Sequence, residues 1–213
     1  MTQHQPICHI VCALPQHHTL RPAPGDFVIA ADGGYAHLSG VRADLVVGDF
    51  DSLGYIPEGE TVVRHPAEKD DTDTMLAARL GLERGYRAFL LHGGVGGRLD
   101  HTLANIQTLA FLGGSGARAA LLGETETITL IQDETLRFRK GMRGIVSVFA
   151  YGERALGVYE RGLAYALDNA TLTDTSPIGV SNAFTGARAE VSVRQGRLLV
   201  YYEGTPEDCG LFD

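Results

Sequence analysis

Residues 88–101 read AFLLHGGVGGRLDH: a short apolar run, a glycine-rich polar loop, and the opening of an amphipathic stretch. The spacing predicts a buried strand over 88–91, a loop over 92–101 and a helix over 102–112. The same order recurs upstream. Residues 27–31 run into Asp32-Gly33-Gly34, and 45–47 run into Gly48-Asp49-Phe50-Asp51-Ser52. Residues 61–64 run into a loop that ends Glu68-Lys69-Asp70-Asp71-Thr72-Asp73. A first buried strand is expected over 7–14, with helices over 35–38 and 74–84. The second of these opens on Asp71-Thr72-Asp73, a good cap and first turn, and stops before Gly85. Strands that alternate with helices imply crossover units and a mostly parallel sheet. Parallel strands would place all four loops on one edge, where open α/β sheets bind ligands.

Beyond about residue 120 the helical period vanishes. Short strands are expected over 126–132, 135–139, 145–150, 155–159, 163–167, 189–194 and 197–202. Turn pairs such as Lys140-Gly141 and Gln195-Gly196 separate several of them. That texture predicts an antiparallel β-sandwich after the α/β part. The expected domains are 1–122 and 123–213, joined by a short connection within 113–127.

Composition narrows the function classes. Eighteen Lys plus Arg against 26 Asp plus Glu give a net charge of −8 over 213 residues, which argues against nucleic acid as the main partner. No run approaches the roughly 18 apolar residues of a membrane helix. Residues 1–14 lack a basic start, and Cys8, His9 and Cys12 interrupt their apolar run, so no secretory leader is expected. Three cysteines are too few for a disulfide framework or a four-ligand zinc site. A cytoplasmic location is the expectation.

The loops are rich in carboxylates: Asp32, Asp49, Asp51, Asp70, Asp71, Asp73 and Asp100 would share the edge. Lys69, Arg98 and neutral histidines are the counter-charges available there. Clustered carboxylates repel, and magnesium shared with substrate phosphates relieves that repulsion. The loop from Gly93 to Gly97 suits a close approach of phosphate to backbone, yet it is neither a Walker A nor a full dinucleotide fingerprint. Each loop also has a plainer reading. Asp70 or Asp71 could cap a helix, Asp51-Ser52 could be a turn, Asp32-Gly33-Gly34 a corner, and His101 a helix-start residue. His4, His9, His17 and His18 lie off these loops and read as surface or strand residues. The plainer readings do not account for four such loops in one register.

Taken in order, Ala31-Asp32-Gly33-Gly34, Gly48-Asp49-Phe50-Asp51-Ser52, Lys69-Asp70-Asp71-Thr72-Asp73 and Gly93-Gly94-Val95-Gly96-Gly97-Arg98-Leu99-Asp100-His101 resemble the motifs of the thiamine pyrophosphokinase (thiamine diphosphokinase) family. The resemblance resumes through 144–150, 162–167, 179–182 and the final strands. It implies an ATP-binding α/β domain, a β-sandwich that binds thiamine and forms a homodimer, and conversion of ATP plus thiamine into AMP plus thiamine diphosphate. It further implies that Asp49, Asp51, Asp70 and Asp73 hold magnesium. Asp32, Gly33, Gly34, Ser52, Thr72, Gly93, Gly94, Gly96, Gly97, Arg98, His101 and Asn105 would then bind the nucleotide. Ser181 and Asn182 match a segment that helps bind thiamine across the dimer interface. Asp71 falls where the family pattern varies. The chain has no tryptophan, so an aromatic partner for thiamine would be Phe184, Tyr165, Tyr201 or Tyr202, among which the sequence does not choose.

The chemistry expected is an in-line transfer to the thiamine hydroxyethyl oxygen, with Lys69 and Arg98 on phosphoryl oxygens and Asp73 or Asp100 able to accept a late proton. Two rivals stand beside it: a related pyrophosphokinase with another hydroxymethyl acceptor such as a pterin, and a nucleotide sensor without turnover.

Overall fold

A computed structural model describes residues 5–16, 18–51, 53–64 and 71–212. The chain divides into two compact units, Met1–Glu124 and Thr125–Asp213.

The first unit is built on β1 (Ile7–Val11), β2 (Phe27–Ala31), β3 (Leu45–Gly48), β4 (Val62–Arg64), β5 (Ala88–His92) and β6 (Arg118–Leu122). Among the described residues these pair in the order β4-β3-β2-β1-β5-β6, every pair parallel. Residues 28–31, 45–48 and 88–92 are buried throughout, the pattern of strands covered on both faces. Helix α1 (Asp73–Glu83) lies over β1, β2 and β3, and α2 (Leu99–Gly114) over β6. Thr72 caps α1, its hydroxyl accepting from the Met75 amide at 3.2 Å. Strand order reverses at β1: the chain runs outward to β4 on one side, then resumes with β5 on the other.

Four local expectations are corrected. β1 stops at Val11, because the Cys12 and Leu14 amides turn to the His92 and Gly93 carbonyls (2.8 and 3.2 Å) and peel residues 12–14 toward the β5 loop. α2 begins at Leu99 rather than 102, which places Asp100 at the favourable N-terminal end. The expected helix over 35–38 is a 3-10 turn, Asp32–His37. Gly34 fits that turn only as glycine, since a Cβ would lie 1.9 Å from the Val11 carbonyl oxygen. β6 falls inside the expected connection over 113–127. Its two alanines carry little strand signal, and burial in the sheet overrides that weakness.

A polar chain crosses the apolar face of this sheet. Asp26, just ahead of β2, accepts from the Ile7 and Ala23 amides (both 2.8 Å) and pairs with His9 Nε2 at 3.2 Å. His9 Nδ1 lies 3.0 Å from His92 Nε2, with the two rings stacked. His9 is therefore a buried network residue. His18 is half-buried, and His4 and His17 lie outside the described residues.

The second unit holds β7 (Glu126–Gln132), β8 (Thr135–Phe138), β9 (Ile145–Ala150), β10 (Arg154–Arg161), β11 (Leu167–Thr173), β12 (Asn182–Ala183), β13 (Ala189–Gln195) and β14 (Arg197–Glu203). Antiparallel ladders join β12-β9-β14-β7 and, separately, β11-β10-β13-β8. Alternation is clean on the inner faces: Leu198, Val200 and Tyr202 of β14 and Ala189, Val191 and Val193 of β13 are buried. Phe138 of β8 meets the rings of Tyr202 and Phe184 edge-on at 5.1 and 4.9 Å, which ties the two sheets together. Residues 163–167 are not a strand. Leu163 forms a single bridge to Phe184, and Leu167 opens β11. β11 is a largely exposed edge strand whose one buried side chain is Leu172, so it carries little apolar alternation to read. Among the described residues no helix is long and apolar enough to cross a membrane.

Candidate active site

At the carboxyl edge of the parallel sheet, beside the point of reversal, lies a cavity of about 440 Å³. Ligands bind at such switch points because the loops on either side diverge and leave a crevice. Cys12, Ala13 and Leu14 reach it from β1, Asp32 from β2, and Asp49 and Asp51 from β3. The start of α1 adds Asp71 through Thr74. Gly93, Gly94 and Gly96 arrive from β5, and Arg98, His101 and Asn105 from the start of α2. Ser52, Lys69 and Asp70 lie outside the described residues.

Local backbone explains how the carboxylates come to point inward. Phe50 sits at φ +66° with its ring buried in the core of Val11, Val28 and Val46. A left-handed phenylalanine is strained, and here the apolar anchor turns its neighbours Asp49 and Asp51 toward the cavity. Asp32 is also left-handed, at φ +43°. Its side chain is buried, and Oδ1 has no hydrogen-bond partner among the described residues. Oxygens of Asp32, Asp49 and Asp73 converge within 4.8 Å of one another. Three carboxylates so close, one of them buried with an orphaned oxygen, form a donor set for a hard divalent cation. Asp73 lies in the first turn of α1, at the helix N-terminus.

The glycine loop is braced from α2. The Asn105 amide donates to the Gly94 carbonyl at 2.8 Å, and the Thr102 hydroxyl to the Gly96 carbonyl at 3.2 Å. Gly93 adopts φ +64°, and a Cβ there would meet the Leu14 carbonyl oxygen at 2.2 Å. Thr102 was not among the expected site residues, although its spacing of three from Asn105 puts both on one helix face. Cys12 to Leu14 were likewise missed, because they read as strand.

Arg98 and Asp100 pair with each other at 2.6 Å on the exposed rim. The Arg98 hydrogen bond, aided by the His101 amide, holds the Asp100 carboxyl below the usual range although its own desolvation opposes this. Asp100, Gly33, Gly34 and Gly97 do not line the cavity. Asp71 does, while pairing with Arg79 at 2.7 Å. Burial pushes the Cys12 thiol up to about 11, so it stays protonated and is no nucleophile at neutral pH. Ser181 and Asn182 belong to the second unit. Ser181 is exposed at φ +62°, whereas Asn182 is buried with its amide fully engaged.

Residues 23–118 match the family model described as thiamin pyrophosphokinase, catalytic domain, and residues 128–198 match thiamin pyrophosphokinase, vitamin B1 binding domain. The thiamine pyrophosphokinase of Bacillus subtilis (strain 168) is 28% identical over 167 residues, 72% of this chain and 75% of that protein. Among solved structures, the thiamine pyrophosphokinase of Bacillus subtilis superposes with a TM-score of 0.80 at 24% identity, covering 93% of this chain and 99% of that one. An Enterococcus faecalis family protein gives 0.79 at 26%, with coverage of 94% and 99%. The Candida albicans enzyme retains the fold at 15% identity, with a TM-score of 0.74 and coverage of 94% and 90%.

Proposed function

Because the chain belongs to the thiamin pyrophosphokinase family, we propose that it transfers the pyrophosphoryl group of ATP to the hydroxyethyl oxygen of thiamine. The observation that carries this reading is the carboxylate trio Asp32, Asp49 and Asp73 facing a braced glycine loop in one cavity. Asp32, Asp49 and Asp73 would hold magnesium, with Asp51 lining the same cavity and Asp70 a further ligand implied by the family resemblance; the ion supplies charge neutralisation at the phosphates when bound. Gly93, Gly94 and Gly96 offer backbone to the nucleotide phosphates, and Arg98 and Lys69 offer cations to phosphoryl oxygens. Thr72, His101 and Asn105 complete the nucleotide's surroundings.

In the transfer, the thiamine oxygen forms a bond to the β-phosphorus as the bond from that phosphorus to the α–β bridging oxygen breaks. AMP departs with the bridging oxygen and its electron pair, and the γ-phosphate travels with the β. A loose transition state needs little early deprotonation, so the hydroxyl proton leaves late, to Asp73 or to water. Asp100, held acidic by Arg98, is the weaker acceptor. The second unit, with Ser181 and Asn182, would supply the acceptor site. Neither a pterin acceptor nor a silent sensor is favoured beside a matched vitamin B1 binding domain.

With magnesium-ATP and thiamine, AMP should form in one-to-one ratio with thiamine diphosphate, and γ-labelled ATP should deliver its label to thiamine. ADP with thiamine monophosphate would refute attack at the β-phosphorus. The family resemblance also implies a homodimer in the cytoplasm. Exposed Ile145 and Phe149 on β9, with exposed Ile178 and Val180 flanking Gly179, whose carbonyl accepts from the Val148 amide of β9 at 2.9 Å, give the second unit apolar surface to bury in such a dimer. Light scattering should therefore report about twice 22.8 kDa; a clean monomer that still converts thiamine would remove the dimer from the mechanism.

A further inference from the structure

We infer that His92 is a positioning residue for the glycine loop, and that it acts through one buried water bound between its Nδ1 and the side-chain oxygen of Gln16. The inference rests on the large cavity at the sheet edge binding ATP. A second, small cavity of about 10 Å³ has Gln16, His18, His92 and Gly93 in its wall. Gly93 lines the large cavity as well. The small one admits a single water molecule. Two of its wall residues carry a buried polar atom with no partner among the described residues: His92 Nδ1 and Gln16 Oε1. His92 as a whole is 5% exposed.

The bonds already made on either side turn both atoms into acceptors. Gln16 Nε2 donates to the His37 carbonyl at 2.7 Å, which fixes the amide's orientation and leaves Oε1 to accept. Asp26 accepts from His9 Nε2 at 3.2 Å, so a neutral His9 carries its lone pair on Nδ1. That atom lies 3.0 Å from His92 Nε2, which then holds the His92 proton and leaves Nδ1 bare. Burial, with His9 and His18 nearby, drives the His92 pKa down to about 3, so the ring is neutral at physiological pH. Two buried acceptors, in a wall that encloses room for one small molecule, call for a molecule that donates twice. Water does so.

Such a bridge joins three walls of the nucleotide cavity. His92 ends β5 and leads directly into Gly93. Gln16 follows the 12–14 segment, whose Cys12 and Leu14 amides bond the His92 and Gly93 carbonyls. Through His37, Gln16 also reaches the 3-10 turn that opens on Asp32, and His37 Nε2 donates back to the Ala13 carbonyl at 3.1 Å. Leu14 packs against the far end of the loop, since a Cβ on Gly97 would lie 3.0 Å from Leu14 Cδ2. A loop made largely of glycine has few side chains to hold its shape, so fixing its base removes freedom that phosphate binding would otherwise have to quench. Apolar residues at positions 9 and 92 would burden the fold less than a buried polar row. What the row supplies is an acceptor of fixed orientation at the base of the loop.

A crystal structure of the full chain, at a resolution that shows ordered water, should place one water within hydrogen-bond distance of both His92 Nδ1 and Gln16 Oε1; anything less than that bridge overturns the inference. Imidazole 15N shifts at neutral pH should show His92 protonated on Nε2, and a proton on Nδ1 overturns it equally. Function is read from magnesium-ATP binding and steady-state kinetics, with urea midpoints on the same samples. His92→Phe should raise Kd and KM for ATP about ten-fold, leave KM for thiamine unchanged and keep kcat within about two-fold. An asparagine sets an acceptor close to the place of Nδ1, and a glutamine close to that of Nε2. His92→Asn should therefore restore most of the ATP affinity although it breaks the bond to His9, and His92→Gln should not. Gln16→Met changes a half-buried loop residue, so it decides the matter even if the His92 variants fail to fold, and it should shift the same constants in the same direction. Unchanged ATP affinity in Gln16→Met, or equal losses in His92→Asn and His92→Gln, overturns the inference. A wild-type chain that binds no magnesium-ATP removes the nucleotide reading and this inference together, whereas a wild type that binds it, with unaffected variants, removes only the latter.

Discussion

Asp73→Asn should lower turnover about 10²- to 10³-fold while the chain remains folded. The substitution preserves shape and the first turn of α1 but deletes one of three converging negative charges. Asp32→Asn should do the same and raise the magnesium concentration needed for half-maximal rate. It should also leave stability unchanged or increase it, because the buried orphan oxygen of Asp32 is a liability without a cation. Rate measured across a magnesium titration, with urea unfolding on the same samples, separates the two effects. Full activity of Asp73→Asn at ordinary magnesium would sink the ligand assignment.

Asp26→Ala should destabilise the first unit by about 3–5 kcal/mol, enough to unfold much of a marginal population at 37 °C. Two backbone amides and a buried imidazole would lose their acceptor at once. Asp26→Asn keeps one strong acceptor and should lose less, as read from the urea midpoint at constant slope. The same network makes a pH prediction. Burial, with the neighbouring His9 and His18, drives the His92 pKa from 6.5 down to about 3. Between those values the unfolded chain binds a proton that the folded chain refuses, so this ring lowers stability as pH falls. The slope is about 1.4 kcal/mol per pH unit through that window. His92→Phe, which cannot titrate, should lose that slope, and an unchanged slope would place the sensitive group elsewhere.

The parallel half of the fold was legible because β2, β3 and β5 are almost continuous apolar runs that lead into polar loops, so the ends of those three strands could be read to within a residue or two. Once the strands were parallel, Asp32, Asp49, Asp51, Asp73 and the glycine loop had to meet on one edge. What escaped the reading depends on partners far along the chain. His9 and His92 are 83 residues apart, and nothing local to either announces the other. Cys12 to Leu14 look like strand until the β5 loop captures their amides. β6 is too rich in alanine, and β11 too polar, to declare themselves, since both are strands by virtue of their neighbours. In the second unit the alternation of β13 and β14 was plain. The resemblance placed Asn182 in a thiamine-binding segment; that its amide bonds Tyr165 and Glu160 is a feature that only three dimensions supply.

Among the described residues the parallel sheet ends at β4, three residues long and closed by the exposed Arg64. A sheet margin is a row of unpaired amides and carbonyls that invites a stranger's strand, and length, flatness and apolar side chains make the invitation stronger. Three residues give an incoming strand almost no template, and a terminal guanidinium makes stacking of like copies repulsive. The strands most apt to aggregate, β2, β3 and β5, lie inside the sheet and are never offered while the domain is folded. A short margin of this kind disfavours edge-to-edge pairing of copies. Extending β4 with further valines should promote edge-to-edge association of copies.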